Sequence, residues 1–147
     1  MEWLSSLKGK TVGLDASSLI YYIEEHPAFL LLVDPFFNAM MRGDFEVVTS
    51  TVTITEVLVH PISLNNYALA EAYRDILQNA AYLRTVPVTA GIAETAARLR
   101  AVHNIRTPDA IHIATAMHCN AEFFFTNDTR LAVVSRPTML ILSDLAR

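Results

Sequence analysis

Short β-prone runs alternate with helical segments along the whole chain, and that alternation limits the fold more than any other feature. Thr11–Leu14, Phe45–Thr49, Thr85–Val88, Glu122–Phe125 and Met139–Leu142 read as strands. Ser17-Ser18 can cap a helix carrying Leu19, Ile20, Tyr22 and Ile23, which stops before Pro27. Asp34-Pro35 opens a second helix through Met41, closed by Arg42-Gly43. Further helices run from about Thr51 to His60, stopped by Pro61, from Asn65 to about Leu83, and from Ala90 to about His103. Thr107-Pro108-Asp109 reads as N-cap, first and second positions of a helix reaching Cys119. Strands and helices in this order predict an α/β fold, a three-layer α/β/α sandwich around a mostly parallel sheet.

At 147 residues the chain is long enough to bury a core without disulfides, and residues 1–147 read as a single domain. Hydrophobic residues make up 52% of it and the mean hydropathy is +0.32. No apolar run approaches the roughly 20 residues that span a bilayer. The opening Met1-Glu2-Trp3 followed by Lys8 and Lys10 lacks the basic-then-apolar order of a secretory signal. The single Cys119 excludes an internal disulfide and fits a reducing cytoplasm, the expected location. The surplus hydrophobicity then goes to a sheet buried on both faces and to a subunit interface. A net charge of −4 excludes holding nucleic acid by bulk charge. It does not exclude a nuclease, because cations bound by an acidic site would neutralise part of that charge.

Four carboxylates fall where such a fold puts the carboxyl ends of its strands, the edge at which open α/β sheets bind ligands. Asp15 directly follows Val12-Gly13-Leu14, though it is equally suited to capping the next helix. Thr53-Ile54-Thr55-Glu56 matches a capping box. If that helix begins at Ser50 or Thr51 instead, Glu56 lies beyond the first turn with its carboxylate free. Asp109 sits in a first helical turn, where the macrodipole favours an anion. Asp128 follows Phe123-Phe124-Phe125-Thr126-Asn127, where an Asx-turn is the plainer use. Acids from separate segments gathered at one sheet edge are what magnesium requires, since it takes oxygen ligands and keeps several waters.

The other chemistry-bearing residues point nowhere as clearly. His112, three residues after Asp109 on the same helical face, suits either a support for the metal site or ordinary helix packing. His26, His60, His103 and His118 lack zinc-ligand spacing, and four glycines leave no phosphate-binding loop. An aspartate-based phosphotransfer domain needs a lysine late in the chain, and none follows Lys10. The remaining rivals are a non-catalytic binding module and a nuclease whose job is RNA processing or DNA cleavage.

Four segments together resemble the PIN-domain family, in its bacterial and archaeal VapC-type group. They are Leu14-Asp15-Ala16-Ser17-Ser18-Leu19-Ile20, Thr53-Ile54-Thr55-Glu56-Val57-Leu58, Thr107-Pro108-Asp109-Ala110-Ile111-His112-Ile113-Ala114-Thr115-Ala116 and Phe125-Thr126-Asn127-Asp128. The resemblance covers about Thr11 to Leu142. It implies a five-stranded parallel sheet, magnesium or manganese held by Asp15, Glu56, Asp109 and Asp128, and cleavage of single-stranded RNA. It further implies that Ser17 and Thr126 orient the acids through their hydroxyls, that the protein is a homodimer, and that an antitoxin neutralises it as the toxin of a type II toxin–antitoxin pair.

An RNA substrate also needs cationic groups. Arg98, Arg100 and Arg106 flank the approach to Asp109 and can hold phosphates through their planar forks, or simply face solvent. The apolar stretch Ala28–Phe37 suits either a dimer or antitoxin contact or the core.

Overall fold

The computed structural model describes residues 1–146. Five strands form one all-parallel sheet in the order β3-β2-β1-β4-β5. They are β1 (Thr11–Leu14), β2 (Glu46–Ser50), β3 (Leu83–Val86), β4 (Phe123–Thr126) and β5 (Thr138–Ile141). The helices are α1 (Glu2–Ser5), α2 (Ala16–Ile23), α3 (Leu30–Met41), α4 (Val52–Ser63), α5 (Tyr67–Asn79), α6 (Ala90–His103), α7 (Thr107–His118) and α8 (Leu142–Leu145). A short 3-10 helix, Thr129–Val133, joins β4 to β5.

Side chains on alternate strand positions feed two separate cores, as the two-residue period of a strand requires. Val12, Leu14, Val47 and Phe125 pack with buried residues of α2 to α5, among them Leu19, Phe36, Phe37, Val57, Tyr73 and Leu77. Phe124 packs on the opposite face with Ile92 and Ala96 of α6 and Ala110, Ile113, Ala114 and Ala116 of α7. This is the three-layer α/β/α sandwich. Phe36 stacks on Phe125 at 4.1 Å between centroids, and Trp3 of α1 covers the same ring at 5.8 Å.

The topology fixes where ligands can bind. β1 lies between β2 and β4, and the chain leaves β2 for one edge and returns from α7 to fill the other. The switch point between β1 and β4 therefore opens a crevice at their carboxyl ends. Two helices stand over it. α2 starts straight after β1, and α7 lies close on the other face because Gly13 has no side chain. A Cβ at Gly13 would sit 2.5 Å from the Ala116 Cβ and 2.7 Å from the Phe124 ring.

Several boundaries differ from the sequence expectation. α3 begins at Leu30, not at Asp34, and carries Pro35 inside it. α4 likewise runs through Pro61 to Ser63. Each proline forfeits one helical hydrogen bond, and burial of Val33, Phe36, Phe37, Ala39 and Met40 in α3, and of Val57 and Pro61 itself in α4, offsets the loss. Most of the Ala28–Phe37 stretch thus feeds the core, although Leu31 stays 82% exposed. α5 stops at Asn79, well short of Leu83, because Leu83 pairs with Val47 and is buried at the sheet edge. β3 consequently spans Leu83–Val86 in place of Thr85–Val88, and β2, β4 and β5 are each offset by a residue.

We expect Gly13→Ala to destabilise the fold by about 1–3 kcal/mol, the usual range for overpacking a tight contact. Urea denaturation measures this directly. Unchanged stability would mean that α7 can move off the sheet at little cost.

Candidate active site

Asp15 occupies the N-cap position of α2 but makes no capping hydrogen bond with its side chain. Its carboxylate is engaged elsewhere. Ser17 Oγ donates to Oδ1 at 2.8 Å, and Thr126 Oγ1, at the end of β4, donates to Oδ2. The residue is 6% exposed. Burial pushes its carboxyl above the usual range, against the opposing pull of the Thr126 and Ser17 hydroxyls, the charge of His112 and the nearby Ser18 amide.

Glu56 sits beyond the first turn of α4, so the capping box does not form. Thr53 Oγ1 instead meets Thr49 Oγ1 at 2.7 Å, and Thr49 hydrogen-bonds Leu14 O at 2.9 Å, which ties β1, β2 and α4 together. Glu56 Oε1 lies 2.5 Å from Nε2 of the buried His112. On the other side of the ring, Nδ1 is 3.0 Å from Ser50 Oγ. Ser50 Oγ also accepts from the Val52 N–H at 3.2 Å, and its hydroxyl can either donate to Nδ1 or accept from it. The Glu56 carboxylate accepts the proton on Nε2.

Asp109 occupies the third position of α7 and is half-buried. Desolvation pushes its carboxyl up; Asp128 and Glu56 add to the shift, while Arg106 and His112 oppose it. Among the described residues no hydrogen bond or ion pair engages its carboxylate, in contrast to Glu56 and Asp128. Asp128 follows β4 and makes the Asx-type turn its position suggested, accepting the Arg130 N–H at 3.0 Å. It also takes the Arg130 guanidinium on both oxygens, Nε at 2.9 Å and Nη2 at 2.7 Å. The Arg130 hydrogen bonds hold its carboxyl below the usual range, although partial burial works against them.

All four acids line one cleft of about 460 Å³, together with Ser17, Tyr21, Arg106, His112, Asn127 and Arg130. Asn127 Nδ2 donates to Tyr21 Oη at 3.3 Å, while its buried Oδ1 has no partner among the described residues. Arg106 is the one sequence-chosen arginine at the cleft. Arg98 pairs with Glu94 at 2.9 Å along α6, and Arg100 Nε donates to Ile105 O at 2.9 Å. Neither lines the cleft.

The donor set suits a hard divalent cation: carboxylate oxygens, an orphaned amide oxygen and two acids whose charge burial disfavours. Among the described residues no three acid, histidine or cysteine side chains are grouped tightly enough to hold an ion as they stand. Two of the acids are drawn to other partners, Glu56 to His112 and Asp128 to Arg130. Sequence reasoning underweighted His112, whose signal was its spacing from Asp109. It missed Ser50, Asn127 and Arg130; for Ser50 only its place at a strand end hinted at the site.

The PIN domain family model matches residues 12–137, and the chain belongs to that family. A toxin–antitoxin complex from Klebsiella pneumoniae is a similar solved structure, 19% identical with a TM-score of 0.67, covering 90% of this chain and 97% of that chain. VapBC2 from Rickettsia felis, solved bound to a promoter DNA fragment, is 14% identical with a TM-score of 0.66, covering 89% and 98%. The Mycobacterium tuberculosis VapC20, a sarcin–ricin loop cleaving toxin, is 17% identical with a TM-score of 0.64, covering 78% and 86%. At these identities the likeness establishes the shared fold. No curated protein matches the chain.

Two outcomes follow from this geometry. Because the Asp109 carboxyl is raised in the folded state, its ionised form opposes folding at neutral pH. That opposition fades as pH falls through the raised value and the native carboxyl takes up its proton. In EDTA, Asp109→Asn should therefore raise Tm on the order of 2 °C at neutral pH, a small gain for a half-buried group. The gap to wild type should close towards the ordinary carboxyl value of 3.8. A gap independent of pH would assign the change to something other than the buried charge. His112→Ala should cost about 2 kcal/mol by leaving Ser50 without its partner, read by urea denaturation. Full stability in that variant would show that the Ser50–His112–Glu56 chain carries no structural weight.

Proposed function

We propose that this PIN-domain protein is a magnesium- or manganese-dependent endoribonuclease that cleaves single-stranded RNA. We further propose that it acts in the cytoplasm as the toxin of a type II toxin–antitoxin pair. The observation carrying the reading is a single cleft at the sheet switch point lined by Asp15, Glu56, Asp109 and Asp128, with Arg106 and Arg130 beside them. Acids alone fit a cation store equally well. Acids beside guanidinium forks suit a phosphodiester, whose oxygens pair with the arginines while the acids manage the cation and the water.

The four acids would hold the metal between them, Asp15 oriented by Ser17 and Thr126, and Glu56 by His112. Bound there, the ion would stabilise charge building on the phosphorus oxygens and lower the pKa of the attacking water. Within this chain, Asp109 would orient that water, since among the described residues its carboxylate alone of the four has no bonded partner. Hydrolysis adds the water oxygen to phosphorus and breaks the bond to the leaving ribose oxygen, which takes a proton.

The toxin assignment draws on the likeness to toxin–antitoxin structures. It also draws on apolar side chains left exposed where α4 passes into α5, namely Val59, Ile62, Leu64 and Tyr67. That patch suits a protein contact, with an antitoxin or with a second copy in a homodimer. Among the described residues no helix is long and apolar enough to cross a membrane.

The test is incubation of a mixed pool of single-stranded RNA and DNA with magnesium, manganese or EDTA, beside Asp15→Asn. We expect metal-dependent cutting of RNA, reduced on the order of a hundredfold or more in the variant, beyond what loss of an outer support usually costs. Induced expression should arrest growth, and the variant should not. Folded protein free of any partner that cuts nothing with either metal would return the reading to a binding module.

A further inference from the structure

Arg130 stands apart from the other cleft residues, and what it does there goes a step past the nuclease reading, on which it rests. Among the described residues, Asp128 is the only one of the four acids that has both oxygens on a cation, a fork-on-fork pair of 2.9 Å and 2.7 Å. The same two oxygens are what a divalent ion would need. Two cations competing for one carboxylate repel each other, so the guanidinium and the ion are alternatives at Asp128. Asp15 presents no such conflict, because neutral hydroxyls hold it and leave lone pairs on each oxygen.

We infer that Arg130 is an exchangeable counter-ion: it holds Asp128 while no divalent cation is bound, and it passes to an RNA phosphate when the cation takes Asp128. Three features make the exchange feasible. The pair lies at the mouth of the cleft, with side-chain exposures of 68% for Arg130 and 23% for Asp128, so solvent screens it and an ion can displace it readily. The backbone does not have to move, because Leu131 is buried beside Arg130 and anchors the 3-10 helix. Asp128 stays aimed after the guanidinium leaves, since the Arg130 N–H still donates to Oδ1 at 3.0 Å. The freed fork matches a phosphate as well as it matched the carboxylate.

Arg106 provides an internal comparison. It lies in the same cleft and lowers both Asp109 and Asp128 through its charge, yet it makes no hydrogen bond to either. Removing Arg106 changes the field alone, whereas removing Arg130 also unblocks a ligand.

The experiment is a manganese titration by calorimetry on wild type, Arg130→Gln, Arg106→Gln and Arg130→Gln in an Asp128→Asn background. Arg130→Gln should bind manganese about two- to fivefold more tightly than wild type, as expected for loss of an exposed competing pair. The gain should exceed that of Arg106→Gln and vanish when Asp128 is already Asn. Fluorescence anisotropy of a mixed-sequence single-stranded RNA gives the second readout. With calcium present, Arg130→Gln should flatten the slope of log affinity against log salt by about 0.7, one phosphate contact. With EDTA, the two slopes should coincide. Unchanged or weaker manganese binding in Arg130→Gln overturns the exchange, as does a gain that Arg106→Gln reproduces in full or a salt slope that ignores Arg130. Wild type that binds no manganese and cuts no RNA removes the nuclease reading itself. Wild type that binds it, beside an indistinguishable Arg130→Gln, removes only the role given to Arg130.

Discussion

Helix α7 can approach the sheet only because position 13 of β1 has no side chain, and nearly everything at the acidic edge depends on that approach. Ala116 and Phe124 fill the space a Cβ would have taken, and the small residues Ala110 and Ala114 continue the contact. The consequences appear one and two turns earlier on the same helix. His112 is brought within 3.0 Å of Ser50 at the end of β2, and Asp109 is brought to the cleft that Asp15 borders at the end of β1. A helix held a side chain's width further out would leave the imidazole short of both of its partners. Packing on one face of the sheet thus sets the geometry of its carboxyl edge.

The four acids then meet the cost of crowding in four different ways. Asp15 is buried at the cleft wall and is stabilised by hydroxyls, which offset only part of its desolvation. Glu56 leans on an imidazole, Asp128 on a guanidinium, and Asp109 has no bonded partner among the described residues. Asp15 and Asp109, which lean on neither an imidazole nor a guanidinium, both have raised carboxyls. Such a cluster is self-repelling, and a divalent cation relieves the repulsion at Asp15 and Asp109 with no partner to displace. Glu56 and Asp128 must each relax an existing contact first. Binding of an ion, as proposed, would redistribute partners among acids that the fold already brings to one cleft.

Much of this was legible in the sequence because it depends on local rules. Strand–helix alternation is a matter of short apolar runs and turn residues, and it led to the right layers. The places of the acids were legible because Asp15 and Asp128 follow strands, Asp109 lies in a first helical turn and Glu56 in the second turn after β2, positions that parallel topology brings to one edge. What stayed hidden depends on contacts between distant segments. Pro35 and Pro61 read as boundaries, yet both lie inside helices whose buried faces outweigh a lost hydrogen bond. Leu83 has the composition of a helix end and becomes strand because Val47 is waiting beside it. Among the arginines, nearness in sequence to Asp109 favoured Arg98 and Arg100, which bond to Glu94 and to the Ile105 carbonyl. Arg130 reaches the cleft from the far side of β4, a neighbour of Asp109 only once the sheet has formed.

The balance of charge explains why so few arginines would be enough. With a net charge of −4 the protein has no general attraction for a polyanion, and at physiological salt charges further away than about 8 Å are largely screened. Any hold on RNA must then come from cations close to the bond being cut. Arg106 and Arg130 line the cleft with the acids, but their charge is spent on carboxylates, as the lowered Asp128 carboxyl records. A divalent ion that neutralised those carboxylates, as proposed, would do two things at once: supply a Lewis acid and release local positive potential towards a bound phosphodiester. On the proposed reading, RNA affinity would follow metal occupancy, and the protein would engage RNA in the form that can cut it.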